Sequence, residues 1–250
     1  MRHDSRYYGL IQGTYGFSTP KDAALAVQRK AVAASFGEAL FWEQTTVDGL
    51  PMELQITETA QVAVRKFITR PEDGIVPGAM VDWCGSRWIV TQVDANAQMV
   101  CSGMMTQCTA LLRWRNITGE ICVAFAARED VRKGDSGIGI VEGVDIQVNS
   151  SQIRLVVPLN ADTLAIRRDR RFLLGVFGPG CEPDAYVVTR ASALANNLLA
   201  NDGAQPHGVI ELTLAQDRYR KDKDNGELGI ADYYPLPAET PEGAEEGDMF

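Results

Sequence analysis

Gly78-Ala-Met-Val-Asp-Trp83 runs through Cys84 and Gly85-Ser-Arg87 into Trp88-Ile-Val-Thr-Gln-Val93. Two short runs rich in aromatic and β-branched residues, separated by a Gly-Ser turn, read as a β-hairpin. The period of two extends in both directions from it. Upstream, Met52-Glu-Leu-Gln-Ile56 and Val62-Ala-Val-Arg-Lys-Phe67 alternate apolar and polar residues. Downstream, Asp94-Ala-Asn96 marks a turn, and Met99 to Met105, Thr109 to Trp114 and Ile121 to Phe125 continue the strand pattern. Short strands at this spacing, bounded by turn residues, predict a small barrel or sandwich.

A second β-rich stretch follows a charged, then Gly-rich break at residues 128–139. Val144 to Val148, Ile153 to Val157, Phe172 to Phe177, Ala185 to Thr189 and Val209 to Leu214 read as strands. Leu194 to Leu199 reads as a turn of helix or a loop. The clear helix is N-terminal. Thr19 suits an N-cap, Pro20 the first helical position, and Gly37 a terminator. Leu25, Val32 and Phe36 share one narrow apolar face among alanines.

The expected fold class is therefore mainly β, with small barrel or sandwich units and an N-terminal α-helix, α+β at most. The expected organisation is an arm and helix over 1–40, a first β unit over 41–127, a second over 128–234 and an acidic tail over 235–250. The two β halves read either as separate domains or as one continuous body.

With 250 residues, 45% hydrophobic and 23% charged, the chain matches an ordinary globular protein and can bury a core without staples. The net charge is −9, and Glu239, Glu242, Glu245, Glu246 and Asp248 contribute five of those charges; the remainder carries −4. That balance is not the footprint of a protein that wraps nucleic acid. No run reaches the roughly 18 apolar residues needed to span a bilayer. Met1 to Tyr8 is polar with no apolar stretch behind it, so the expectation is a soluble protein made in the cytoplasm. The five cysteines, Cys84, Cys101, Cys108, Cys122 and Cys181, form no CxxC pair, and the expectation is free thiols with no metal site.

The motifs that suggest catalysis fail on inspection. Gly134-Asp-Ser-Gly137 matches part of a serine-protease signature. That chemistry needs a histidine base before the serine. The two histidines are His3, too near the terminus, and His207, on the wrong side. Asp222-Lys-Asp-Asn-Gly226 begins like a calcium loop, but positions 5, 6 and 12 are Gly226, Glu227 and Tyr233, so it reads as a turn. Pro179 breaks the helix that a phosphate loop at Gly175–Gly180 would need. No cofactor and no enzymatic activity are expected. Trp42, Trp83, Trp88 and Trp114 read as fillers of a β core. Arg167, Arg168, Arg170 and Arg171 form the densest basic run, and Arg218, Arg220, Lys221 and Lys223 a second.

Several strings resemble structural proteins of tailed bacteriophages and prophages. They are Gly78-Ala-Met-Val-Asp-Trp83, Trp88-Ile-Val, Cys108, Leu112-Arg-Trp114, Asp169-Arg-Arg171-Phe172, Asp184 to Arg190, Gly208-Val-Ile-Glu-Leu-Thr-Leu214 and Asp224-Asn-Gly-Glu-Leu-Gly-Ile-Ala-Asp-Tyr233. The resemblance covers residues 45–233 in pieces and departs from the family at Ala79, where Asp is usual. It implies a head–tail connector or head-closure protein of the virion, without catalytic residues. Such a protein forms a homo-oligomeric ring between portal or adaptor and tail proteins, and packaged DNA passes it. The interface residues expected are Leu25, Val32 and Phe36 on the helix and Arg167, Arg168, Arg170 and Arg171. The alternative is a monomeric β module that binds carbohydrate or another ligand, for decoration or host recognition.

Overall fold

The computed structural model describes residues 19–36, 42–71, 73–94, 100–129, 152–180, 182–195 and 207–234. Helix α1 spans Pro20–Phe36, as its capping residues predict. The Thr19 hydroxyl accepts a hydrogen bond from the Asp22 backbone N–H at 3.2 Å and donates to the Asp22 carboxylate at 2.8 Å. Ala23 is buried, whereas Val27 is exposed.

Strands β1 (Trp42–Val47), β2 (Leu50–Glu58), β3 (Val64–Ile68), β4 (Met80–Trp83) and β5 (Ser86–Val93) build the first unit with the N-terminal half of β6 (Ser102–Arg115). Two-residue turns join β1 to β2 and β4 to β5. Asp48-Gly49 and Cys84-Gly85 both hold positive φ, at 49° and 83° and at 47° and 69°. This is the turn whose twist matches paired strands, and it explains an Asp-Gly and a Cys-Gly at those points. The order β3-β2-β1-β4-β5-β6 closes on itself because β3 also pairs with β6, from Val64↔Thr106 to Ile68↔Ser102. Closure gives each of these six strands a ladder partner on both sides over part of its length. Leu54, Phe67, Val81, Trp88, Val90 and Met105 fill the interior. Each large apolar side chain there stabilises the fold by about 1.5–3 kcal/mol.

Strand β6 is 14 residues long and serves both units. Residues 102–107 pair with β3 and β5, and residues 108–115 pair with β7 (Ile121–Glu129). The second sheet continues through β8 (Gln152–Pro158), β11 (Gly208–Asp217), β10 (Asp184–Ala195) and β9 (Arg171–Leu174), all antiparallel. It curls until β9 lies against β6, where Arg170 Nη2 donates to the Arg115 carbonyl at 2.6 Å. Trp114, Phe172, Leu112, Leu155, Leu212 and Leu214 form its core, with Trp114 and Phe172 edge to face at 6.0 Å. Helix α2 (Ala161–Leu164) is one turn, held by a capping box between Asn160 and Thr163.

The architecture is mainly β, as expected, and the described strands form one continuous eleven-stranded sheet. The unit boundary falls inside β6. Residues 108–127, assigned to the first β unit on sequence, hydrogen-bond in the second sheet. Residues 194 and 195, read as helix or loop, end β10 as strand. The Gly134–Gly137 motif, His3 and the strand expected at 144–148 lie outside the described residues.

A small cluster of Ile89, Ala127, Val156 and Val209 forms the seam between the units. Gly78, at φ 89°, sits where a Cβ would stand 2.0 Å from the Gly208 carbonyl oxygen. Gly78 is therefore required by close backbone approach at the seam.

Candidate functional site

The second unit is wrapped on its outside by residues 218–234. Arg171 explains how. In β9, Phe172 points into the core, so Arg171 and Leu173 point outward, under the C-terminal segment. Arg171 is only 5% exposed. Its Nε donates to Asp217 at 2.5 Å, Nη1 to Asp224 at 2.8 Å and to Asp232 at 2.9 Å, and Nη2 to Asp224 at 2.9 Å and the Arg218 carbonyl at 2.7 Å. Asp224 is fully buried at its side chain and also accepts the backbone N–H groups of Arg220 and Asp232. Burial alone would raise the Asp224 carboxyl, but the hydrogen bonds from Arg171, Asp232 and Arg220 prevail and hold it below the usual range. Burial is opposed in the same way at Asp217, by the Arg218 N–H and by Arg171. Burial disfavours the charge on Arg171 too, yet Asp224 and Asp217 hold its proton more firmly than in water.

This clasp accounts for two of the quoted strings. Arg171 belongs to the first, and Asp224 and Asp232 to the second. Between them Asn225 and Ile230 form a β-bridge, and Gly229, at φ 68°, lets the chain pass against the Phe177 ring. The resemblance to a calcium loop ends here: both Asp224 oxygens are taken by N–H donors. Among the described residues no group of three or more His, Cys, Asp or Glu side chains is placed to hold a metal.

The clasp places the C-terminal segment beside the outer face of β6 and β7. The register Leu111↔Phe125, Arg113↔Val123, Arg115↔Ile121 puts these six side chains on one face, because the intervening Leu112, Trp114, Cys122 and Ala124 point into the core. Ile121 and Val123 are 51% and 54% exposed. Arg113 stacks on Phe177 and donates to the Leu228 carbonyl at 2.9 Å. Arg115 stacks on Tyr233 and donates to the Gly119 and Tyr233 carbonyls at 3.1 and 3.0 Å. Among the described residues, Arg113, Arg115 and Arg170 meet carbonyl oxygens and no carboxylate, so their charges stay uncompensated at short range.

The same face leads into a groove of about 580 Å³ lined by Asp82, Trp83, Cys84, Arg87, Cys108 and Phe125. Arg87 forms a two-pronged pair with Asp82, at 2.7 and 3.3 Å, and covers the Phe125 ring at 4.2 Å. Cys84 stands exposed at the hairpin turn. Burial pushes the Cys108 thiol up to about 12, against a smaller opposing effect of Arg87. Cys84, Cys101, Cys108 and Cys122 are unpaired; Cys181 lies outside the described residues.

The residues expected to mediate assembly are not one site. Leu25 and Val32 are half-buried on α1, and the Phe36 side chain lies outside the described ones. Arg167 and Arg168 are exposed, and Arg170 is half-buried on the Arg115 carbonyl. Arg171 is corrected: it is buried inside its own chain and is not an exposed interface cation, because the chain folds three carboxylates around it. Of the tryptophans, Trp88 and Trp114 are buried core residues, whereas Trp42 and Trp83 are half-buried. Sequence reading missed the β6–β7 face. Its signal was the alternation Ile121-x-Val123-x-Phe125 opposite Leu111-x-Arg113-x-Arg115, legible once the register is known.

No protein-family model matches the chain, and no curated protein matches it. Among solved structures, K. pneumonia MrkH in its apo state is 11% identical, with 78% of this chain and 86% of that chain covered and a TM-score of 0.25. The MrkH–c-di-GMP complex gives 10% identity, 78% and 88% coverage and the same TM-score of 0.25.

Proposed function

We propose that this chain is a non-enzymatic structural protein of a tailed-phage or prophage virion. In this reading it forms a ring at the head–tail junction, joins portal or adaptor to tail proteins and helps retain packaged DNA. The observation that carries the reading is where the quoted strings fall. Gly78 and Gly208 form the tight seam, and Arg171, Asp224 and Asp232 form the clasp. The strings that resemble phage proteins thus serve to hold a body rigid, as a building element requires. A ring needs a heterologous, closed contact repeated at each subunit. The surfaces offered for it are the α1 face with Leu25 and Val32, and the exposed Arg167 and Arg168.

The test is to locate the chain in purified particles by electron cryomicroscopy. Density for it at the portal vertex is expected; particles that lack the chain overturn the proposal. Leu25→Asp with Val32→Asp is expected to block incorporation while the β body stays folded. Arg167→Glu with Arg168→Glu weakens incorporation more at low salt than at high salt, since exposed charges are screened.

The groove favours a second reading, a monomeric ligand-binding module. Trp83 lines it, beside the Phe125 ring that Arg87 covers, and an indole face of this kind stacks on sugars. A monomer in sedimentation, with glycan binding that Trp83→Ala abolishes, selects this reading over the ring.

A further inference from the structure

We infer that the outer face of β6–β7 is a docking surface for an acidic peptide that carries apolar side chains, and that its occupant is residues 235–250 of the same chain. Three observations converge. The face is apolar along β7, with Ile121 and Val123 about half exposed and no described segment covering them. It is positive along β6, where Arg113 and Arg115 bind carbonyl oxygens and, among the described residues, meet no carboxylate. Finally, the described chain reaches residue 234 at this very place: the Tyr233 carbonyl sits on Arg115, which is the cross-strand partner of Ile121.

The sequence of 235–250 has the complementary chemistry. It carries Glu239, Glu242, Glu245, Glu246 and Asp248, no basic residue, and the apolar pair Met249-Phe250. At most about 3.5 Å per residue, 16 residues span far more than the length of this face, so reach is not limiting. Tethering supplies an effective concentration near the millimolar range, so weak contacts suffice. Burying Ile121 and Val123 under an apolar side chain supplies the affinity, and the arginines set register. The inference does not rest on the virion reading.

The test uses the full chain with a photoreactive benzoyl-phenylalanine in place of Phe250. Irradiation and peptide mapping are expected to give crosslinks concentrated in residues 111–125. In an equimolar mixture of isotopically light and heavy protein, the crosslinked peptides should stay unmixed in mass. Two variants sharpen the result. Replacing the five tail carboxylates by amides (Glu239→Gln, Glu242→Gln, Glu245→Gln, Glu246→Gln, Asp248→Asn) leaves the β body untouched and should cut the yield at least fivefold. Val123→Asp, with its melting curve recorded alongside, should do the same. Crosslinks spread over the surface, or a yield that the amide variant leaves unchanged, overturn the inference. Crosslinks of mixed mass overturn it in favour of a neighbouring copy as occupant.

Discussion

The two units of this protein share a strand and solve the same problem in different ways. A curled sheet must do something with its last strand. In the first unit β3 returns to β6 and the ladder closes, so backbone hydrogen bonds finish the structure. In the second, β9 reaches β6 without an extensive ladder, and a segment of 17 residues, 218–234, is pinned over the outside by one buried arginine. The comparison teaches that closure by backbone is insensitive to any single side chain, whereas closure by a clasp concentrates stability in a few atoms. A buried charge whose partner is removed is strongly destabilising, because desolvation is no longer offset.

The sharpest way to break the contrast is Arg171→Met. It strands the buried Asp224 carboxylate and should lower stability by about 3–5 kcal/mol. Urea denaturation should show it, and hydrogen exchange should show β9 and residues 218–234 opening first while β1–β5 stay protected. Gly78→Ala attacks what the two units have in common. A positive φ and a Cβ 2.0 Å from the Gly208 oxygen force the seam apart. The backbone strain alone is about 1–3 kcal/mol, and loss of protection at Ile89 and Val209 should report it.

Acid provides a gentler test. Asp217 and Asp224 have folded-state values below their unfolded ones, so the unfolded chain binds more protons as pH falls. Their contribution is present above the ordinary carboxylate value, about 3.9, and is lost as pH drops through the depressed folded values. The second unit should therefore open before the first in an acid titration followed by residue-resolved exchange. The loss should be smaller than for Arg171→Met, since a protonated carboxyl still hydrogen-bonds. Simultaneous loss of both units would show that the shared strand couples them completely. The smallest effect is expected for Arg87→Ala. Its pair with Asp82 is solvent-exposed and worth about 0–1 kcal/mol, so the melting temperature should barely move.

Strands β2 to β5 were legible because period two is a local signal, whereas β1 (Trp42–Val47) was not read. The Gly85-Ser86 turn marks one hairpin within a few residues; the Asp48-Gly49 turn between β1 and β2 went unread with its first strand. The continuity of β6 was not legible. Residues 99–105 and 109–114 read as two runs because the ladder partners change near Gln107, with a register shift between Cys108 and Ala110 that breaks the alternation. The clasp was hidden for a different reason. Arg171 lies in a basic run that looks solvated, and its carboxylate partners lie 46, 53 and 61 residues away. Only the fold brings them together. The docking face stayed invisible because an exposed Ile or Val is unremarkable until its neighbours are known.

A strand that belongs to two units is also a mechanical link. Tension applied along β6 loads the bonds to β3, β5 and β7 side by side, in shear, so that many must fail at once. Tension applied across it peels the same bonds one after another. The body is therefore stiff along one axis and yielding across it. At Gln107–Cys108 β6 exchanges one set of partners for the other, so a load carried along it passes from the first unit to the second there.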